Sequence, residues 1–506
     1  MAIIIAIDQV KKIKNMNRNI LRNTGILVII LLVFGITNCF GFEIKETKTK
    51  GAETGKYDLR FGVIADTHVG AKSDYPLFLR LEKALDWYNT KNVKALAIVG
   101  DITNNATQAQ WNTFRKSWKK HKGHLQLIAV MGNHDVHGGD INAAVDRFET
   151  ATKEKTNAHY VISGYHFIVL SAGEGDFIDT GAVGGAIATG RTDTPGKVSD
   201  GDNVPQSVLD WLRMQIDIAK SDAPGKPIFV FLHWPVRNTL VKSNRKKYNT
   251  TSFGDNPLTG FFKDDPEVVF FSGHIHYPNN DPRAIWQGGF TSVNVPSLYY
   301  MSIGVTRYLN SEDSVYSKIA KRQAGQGLIV SVKGSKVIIE NFDFDFSEGS
   351  TPLENVVKIP QTWEFDVSQH ADFPYSNTKR STQKTAPVFD ETKPTNESLG
   401  MITIKQIKDT SIEVEFPQAK IPGPNLGNEV VHSYRFDFIN RQTGAISLST
   451  KRLSDFMLTP RLQKPTYTQL IDGLQSGTEY ELRIYAYSSF QKCSKQYLTR
   501  IFKTLD

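Results

Sequence analysis

The chain has 506 residues, room for several domains, and its 40% apolar content supports ordinary packed cores rather than a disordered protein. Its net charge of +8 falls to +4 once residues 1–41 are set aside, because five Lys/Arg and one Asp lie there. That remainder is too diffuse to argue for a nucleic-acid partner, and two cysteines (Cys39 and Cys493) exclude a disulfide-stapled fold.

In chain order, the first feature is an apolar run over 26–36, preceded by Lys11, Lys12, Lys14, Arg18 and Arg22. A membrane-spanning helix needs about 20 apolar residues, so this shorter run reads as the core of a secretory signal or N-terminal anchor over 1–42. Cleavage after Gly41 is the simplest expectation, and lipid anchoring at Cys39 is the alternative. The protein is therefore expected to be secreted or held in the cell envelope. Envelope attachment would run through the N-terminus or a C-terminal module.

Residues 43–56 are polar and read as a flexible lead. Apolar runs rich in Val, Ile and Phe follow at 59–65, 95–99, 125–131, 228–232 and 268–271. Their length and composition predict buried strands of a parallel sheet. Helical spacing predicts helices over 77–89, 107–119 and 208–218, and hairpins are expected around Ser163-Gly164 and Lys333-Gly334-Ser335. Irregular stretches cover 172–206, 236–257 and 278–317. Loops this long are usually functional or disordered. The second carries Arg237, Lys242, Arg245, Lys246 and Lys247 just after His233, and reads as a solvated charged loop, with phosphate contact as the alternative. Residues 347–398 shift toward Pro, Ser, Thr and Lys and are expected to be a linker.

Each of the five apolar runs is followed by metal-ligand residues: Asp66-Thr67-His68, Gly100-Asp101, Gly132-Asn133-His134-Asp135, His233, and Gly273-His274-Ile275-His276. Ligands just past strand ends converge on one edge of a sheet, where open α/β folds bind ligands. Asp66, His68, Asp101, Asn133, His233, His274 and His276 offer seven oxygen and imidazole donors, too many for one ion. They suit two ions sharing a carboxylate, with Asp101 the natural bridge. Such a pair makes a bridging hydroxide nucleophile near neutral pH. The donors suit Mn, Fe, Zn or Ni, so the identity of the two ions stays open.

The order D-x-H, G-D, G-N-H-D, H, G-H-x-H resembles the calcineurin-like metallophosphoesterase superfamily. The resemblance covers 57–346 and implies a two-sheet α/β sandwich flanked by helices. It also implies Asp66, His68, Asp101 and His276 on one ion, and Asp101, Asn133, His233 and His274 on the other. By the same resemblance His134 contacts the phosphate and assists the leaving group, and Asp135 orients its imidazole. His68 and Asn104 depart from the purple acid phosphatase pattern, which has glycine and tyrosine there. Gly100 to Asn104 is instead similar to the G-D-x-x-N of class III cyclic-nucleotide phosphodiesterases, although Asn104 also suits a helix cap.

From Leu399 the pattern changes to short alternating strands. The stretch Leu474 to Tyr480 resembles the corner of fibronectin type III domains, with Tyr480 as the corner tyrosine and Phe416 in place of the usual tryptophan. Residues 399–506 are thus expected to form an all-β immunoglobulin-like sandwich that serves as spacer or binding module. Since every candidate ligand precedes Pro278, its removal is expected to leave activity on small esters within a few-fold.

The resulting expectation is an exported hydrolase of phosphomonoesters or phosphodiesters, working by in-line attack of a metal-bridging hydroxide. The alternatives are a binding or scaffold protein with an idle metal site, and a phosphoprotein phosphatase.

Overall fold

A computed structural model of the chain describes residues 44–47, 55–71, 77–137, 140–171, 179–180, 187–188, 206–243, 257–301, 324–345, 356–382, 385–423, 428–458 and 463–506. The N-terminal apolar run, Cys39, and Arg245 to Lys247 lie outside these residues. Among the described residues no helix is long and apolar enough to cross a membrane.

The first part of the chain runs β1 (Ile44–Thr47), β2 (Leu59–Ile64), α1 (Leu77–Asn89), β3 (Ala95–Val99), α2 (Gln108–His121), β4 (Gln126–Val130), α3 (Ile141–Thr152), β5 (Ala158–Ile162) and β6 (Tyr165–Val169). The short pair β7 (Asp179–Thr180) and β8 (Ile187–Ala188) follows, then α4 (Gln206–Asp222), β9 (Ile228–Phe231), α5 (Pro257–Phe261), β10 (Val268–Ser272), β11 (Ile285–Gln287) and β12 (Thr291–Asn294). The unit closes with β13 (Ala324–Lys333), β14 (Lys336–Asp345), β15 (Val356–Asp366) and α6 (Asn377–Thr382).

Two mixed sheets result. One has the order β1-β5-β6-β9-β10-β12-β11 and the other β15-β14-β13-β2-β3-β4. Residues alternate along each strand, so one face of each sheet meets the other sheet and one meets helices. Phe61 and Val63 of β2 point inward with Phe229 and Phe271, whereas Ile64 points outward to the α1, α2 and α3 side. Phe61 packs edge-on to Phe167 and Phe229 at 5.0 and 4.8 Å between ring centroids. Each such fully buried ring contributes about 2–3 kcal/mol. On the opposite side α4 covers the larger sheet through Trp211, Leu212 and Ile216. The five strands expected to deliver ligands are thus shared between two sheets, with β2, β3 and β4 in one and β9 and β10 in the other.

Three expectations change. Residues 44–47 form no loose lead: β1 pairs in parallel with β5, Ile44 opposite His159. The segment 347–398 is no simple linker, because β15 pairs antiparallel with β14 and buries Ile359, Trp363 and Phe365. Phe389, farther along, joins the core of the C-terminal unit. Asn104 caps no helix, since the first turn of α2 is capped by Thr107, whose hydroxyl accepts from the Gln110 amide.

The C-terminal unit is all β. Strands β17 (Thr403–Ile407), β18 (Ser411–Pro417) and β21 (Thr466–Asp472) form one sheet. The other contains β16 (Ser398–Leu399), β23 (Tyr497–Lys503), β22 (Glu479–Ser488), β19 (Val431–Asn440) and β20 (Ile446–Leu453), in that order. Phe416 is buried between them against Tyr434, Phe436 and Tyr467. The Tyr480 hydroxyl accepts from the Gln475 amide at 3.0 Å, which pins the bend before β22.

Candidate metal centre

The ligand blocks leave their strands in an unusual backbone conformation. Asp66, His68 and Asp101 have φ of 53°, 42° and 49°, and His274 and His276 have 67° and 49°. Left-handed φ at a non-glycine residue costs on the order of 1–3 kcal/mol and persists only where surroundings enforce it. Here the loops enforce one another: the Asp66 amide donates to Gly100 O at 3.0 Å, His68 to Asp101 O at 2.9 Å, and Val69 to Ile102 O at 2.9 Å. The glycines are a steric requirement. A Cβ on Gly100 would stand 2.3 Å from His233 Nδ1, and one on Gly132 would stand 2.3 Å from Asp101 Oδ1.

The side chains then meet between the two sheets. Ligand atoms of Asp66, His68 and His276 lie within 4.8 Å of one another, as do those of Asp101, His233 and His274. Asp101 links the two groups, its Oδ2 standing 3.2 Å from His233 Nε2 and 3.6 Å from His68 Nε2. Its other oxygen accepts the His134 amide at 2.8 Å. Asn133 follows β4 by three residues and is buried in a short turn.

Three imidazoles are held by the nitrogen that faces away. His233 Nδ1 lies 2.8 Å from Val99 O, His276 Nδ1 3.0 Å from Tyr300 O, and His68 Nδ1 3.2 Å from Asn104 Oδ1. Each partner is an acceptor, so Nδ1 carries a proton and Nε2 is the nitrogen left facing inward, as in a metal-ligating histidine. The inward atoms Asp66 Oδ1, His68 Nε2, Asn133 Oδ1 and His233 Nε2 are buried and make no well-aligned hydrogen bond; they face other ligand atoms instead, with His276 Nε2 2.9 Å from Asp66 Oδ1 and His233 Nε2 3.2 Å from Asp101 Oδ2. Buried polar atoms are normally paired, so this cluster fits a set of ligands that metal ions would satisfy.

The electrostatics agree. Burial opposes charge on Asp101, yet the neighbouring histidines, His233 foremost, hold it well below the usual carboxylate range. Burial also opposes charge on His233, but Asp101 outweighs it and pushes the imidazole up to about 9. The carboxylates thus collect positive charge, and a metal ion would take the proton's place. His68 differs: burial dominates and pushes it down to about 4, leaving a neutral ligand.

His134 lies beside this cluster, its ring 4.5 Å from that of His68. Asp135 does not orient it. The Asp135 carboxylate accepts from the amides of Gly132, Ile102 and Thr103 and from the Thr103 hydroxyl, and so ties the G-N-H-D loop to the G-D loop. Burial, with Asp101 nearby, pushes its pKa up to about 6. The His134 ring is held instead by Asn104, whose backbone carbonyl lies 2.7 Å from Nδ1. Asn104 thereby serves two histidines, His68 through its side chain and His134 through its backbone. This double role separates them by mutation. Asn104→Ala keeps the carbonyl, so metal affinity should weaken by about 10–100-fold while His134 keeps its position. Metal titration against kcat at saturating metal measures the split, and unchanged metal affinity would remove Asn104 from the His68 support.

Trp234 packs on His274 at 3.8 Å between rings and backs the second group of ligands. His137, which matches none of the five blocks, places its ring 4.4 Å from that of His134. Lys242 is not solvated: it is buried, with its ammonium over the Tyr277 ring.

Residues 59–278 match the family model for calcineurin-like phosphoesterases. No curated protein matches the chain. Among solved structures the chain is similar to PhoD at 10% identity, over 60% of this chain and 72% of that one, with a TM-score of 0.38. It is also similar to purple acid phosphatase PPD1 from yellow lupin (Lupinus luteus) seeds, at 11% identity over 61% of this chain and 53% of that one, TM-score 0.38. A shorter similarity, to the FN5 domain of Drosophila Lar, has 16% identity over 21% of this chain and 91% of that one, TM-score 0.14.

Proposed function

We propose that this chain is an exported phosphoesterase that hydrolyses phosphomonoesters or phosphodiesters at a centre of two metal ions. The observation that carries the reading is the convergence of two buried ligand groups, Asp66 with His68 and His276 and Asp101 with His233 and His274, joined where Asp101 Oδ2 meets His68 and His233. Asp66, His68, Asp101 and His276 would hold one ion, and Asp101, Asn133, His233 and His274 the other. When bound, such ions neutralise phosphoryl oxygens and make water a usable nucleophile near neutral pH.

The chain's own residues do the rest. Carbonyl partners at Nδ1 aim the Nε2 atoms of His68, His233 and His276 inward. His134, with Nδ1 on the Asn104 carbonyl, presents Nε2, and when protonated there it donates to the departing ester oxygen. Asp135 holds the two loops that carry Asp101 and His134 in register. For the C-terminal unit a fibronectin type III type is supported by its three-stranded and five-stranded sheets and by the Tyr480 bend. For residues 1–42 an export signal is supported by the basic stretch and the short apolar run.

The test is a panel of aryl and alkyl monoesters and diesters with the full chain loaded with Mn. Hydrolysis of at least one class, abolished by a chelator and restored by metal, is the expected result. A chain that binds two ions yet turns over no ester would instead be a metal-holding scaffold.

A further inference from the structure

Like that of Asp66 and His68, the loop that carries His274 and His276 is backbone-strained. Both residues are left-handed, and the residue between them is Ile275, a β-branched side chain that is fully buried. Ile275 and Tyr277 lie in one apolar cluster with Leu240, Phe456 and Met457. Two of the five buried members, Phe456 and Met457, belong to the C-terminal sandwich, just after β20. Val430, Leu453 and Leu458 of the same unit pack against the cluster. They share the cover of Ile275 and Tyr277 with Leu240, Val241 and Trp286 of the first unit.

A second, polar connection reaches the same loop. Asn428, at the start of the sandwich's second half, accepts at its carbonyl from Gln361 Nε2 at 2.7 Å, and that nitrogen also donates to Asn280 O at 3.1 Å. Next in line, Asn279 and Asn294 are joined through Asn294 Nδ2, which donates to Asn279 Oδ1 and to the Tyr277 carbonyl, both at 2.8 Å. The chain of amides therefore runs from the sandwich to the residue beside His276, through side chains that are all buried. The line is only partly satisfied, since Gln361 Oε1 and Asn294 Oδ1 are buried without hydrogen-bond partners, so it adds to the apolar cluster rather than replacing it.

We propose that the C-terminal sandwich is a positioning element of the metal centre: Phe456 and Met457, with the amide line from Asn428, hold the His274-Ile275-His276 loop in its ligating conformation. The sandwich is then more than a spacer, and its removal does not leave the centre intact. The proposal rests on the two-ion reading above. Its chemistry is that of outer support, in which residues that never touch a ligand set ligand geometry.

The test uses the full chain carrying Phe456→Ala and Met457→Ala together. Loss of metal to a chelator should be about tenfold faster than in wild type, and half-maximal activity should need about tenfold more Mn, with KM for the ester unchanged at saturating metal. Phe502→Ala, in the sandwich core away from this cluster, controls for stability: it should lower the thermal midpoint without altering metal loss. Phe456→Leu, which keeps the bulk, should restore retention to within about twofold. If the double variant does not fold, Met457→Ala alone should still speed metal loss about threefold. Metal loss from the cluster variants equal to that of wild type or of Phe502→Ala would overturn the proposal. A wild-type chain that holds fewer than two ions would overturn the two-ion reading itself, and the proposal with it.

Discussion

Asp101→Asn should empty the centre of metal and remove nearly all turnover, more than any other single ligand change. The carboxylate has no spare atom. Oδ1 accepts the His134 amide, and Oδ2 lies between His68 Nε2 and His233 Nε2. An asparagine must turn its oxygen toward the His134 amide, because two donors cannot face each other in a buried site. Its NH2 then stands where Oδ2 stood, with no lone pair to offer either ion. The charge lost is also the one that draws a proton onto His233. Losing one charge-stabilising donor typically costs about 10²–10³ in rate, and a group shared by both ions should exceed that. Elemental analysis decides the point: two metals per chain in Asp101→Asn would rule out the bridging role.

The candidate donors that the structure brings together were legible because each is local to its strand. An apolar run of four to seven residues predicts where a strand ends, and the donors follow within five residues, so no long-range information is needed. Helix α1 and both hairpins were legible for the same reason. The misreadings are non-local. Strand β15 carries Pro360 and alternating polar residues, which suit a linker by composition. It is the edge of its sheet, where a proline is tolerated, and the register shifts between Glu340 and Phe342, opposite the proline. Strand β1 has four residues and an edge position, too little pattern to announce a strand. Asp135 was assigned by resemblance to the neighbouring histidine, but its carboxylate is surrounded by backbone amides that only the folded loops bring together. The same holds for Asn104, whose two hydrogen bonds depend on how two loops cross, and for Phe456 and Met457, which sit 180 residues from the loop they pack against in a unit that reads as independent.

His134→Ala should behave unlike any ligand change. The His134 ring hangs from the Asn104 carbonyl, and the His134 backbone amide, not the ring, hydrogen-bonds the Asp101 carboxylate. Alanine keeps that amide, so Asp101 keeps its partner and both ions should remain at full stoichiometry. Turnover should fall by about 10²–10⁴, the range for a positioned acid or base. The direction of the proton follows from the tautomer. With Nδ1 facing an acceptor, the nitrogen free to serve substrate is Nε2, and it can give a proton only from the doubly protonated ring. Esters with poor leaving groups need that proton, and nitrophenyl esters do not, so the loss should shrink as the leaving group improves. Measuring kcat/KM of wild type and variant across a leaving-group series tests this directly. A loss of equal size for nitrophenyl and alkyl esters would remove the general-acid role and leave His134 with the bound phosphate alone.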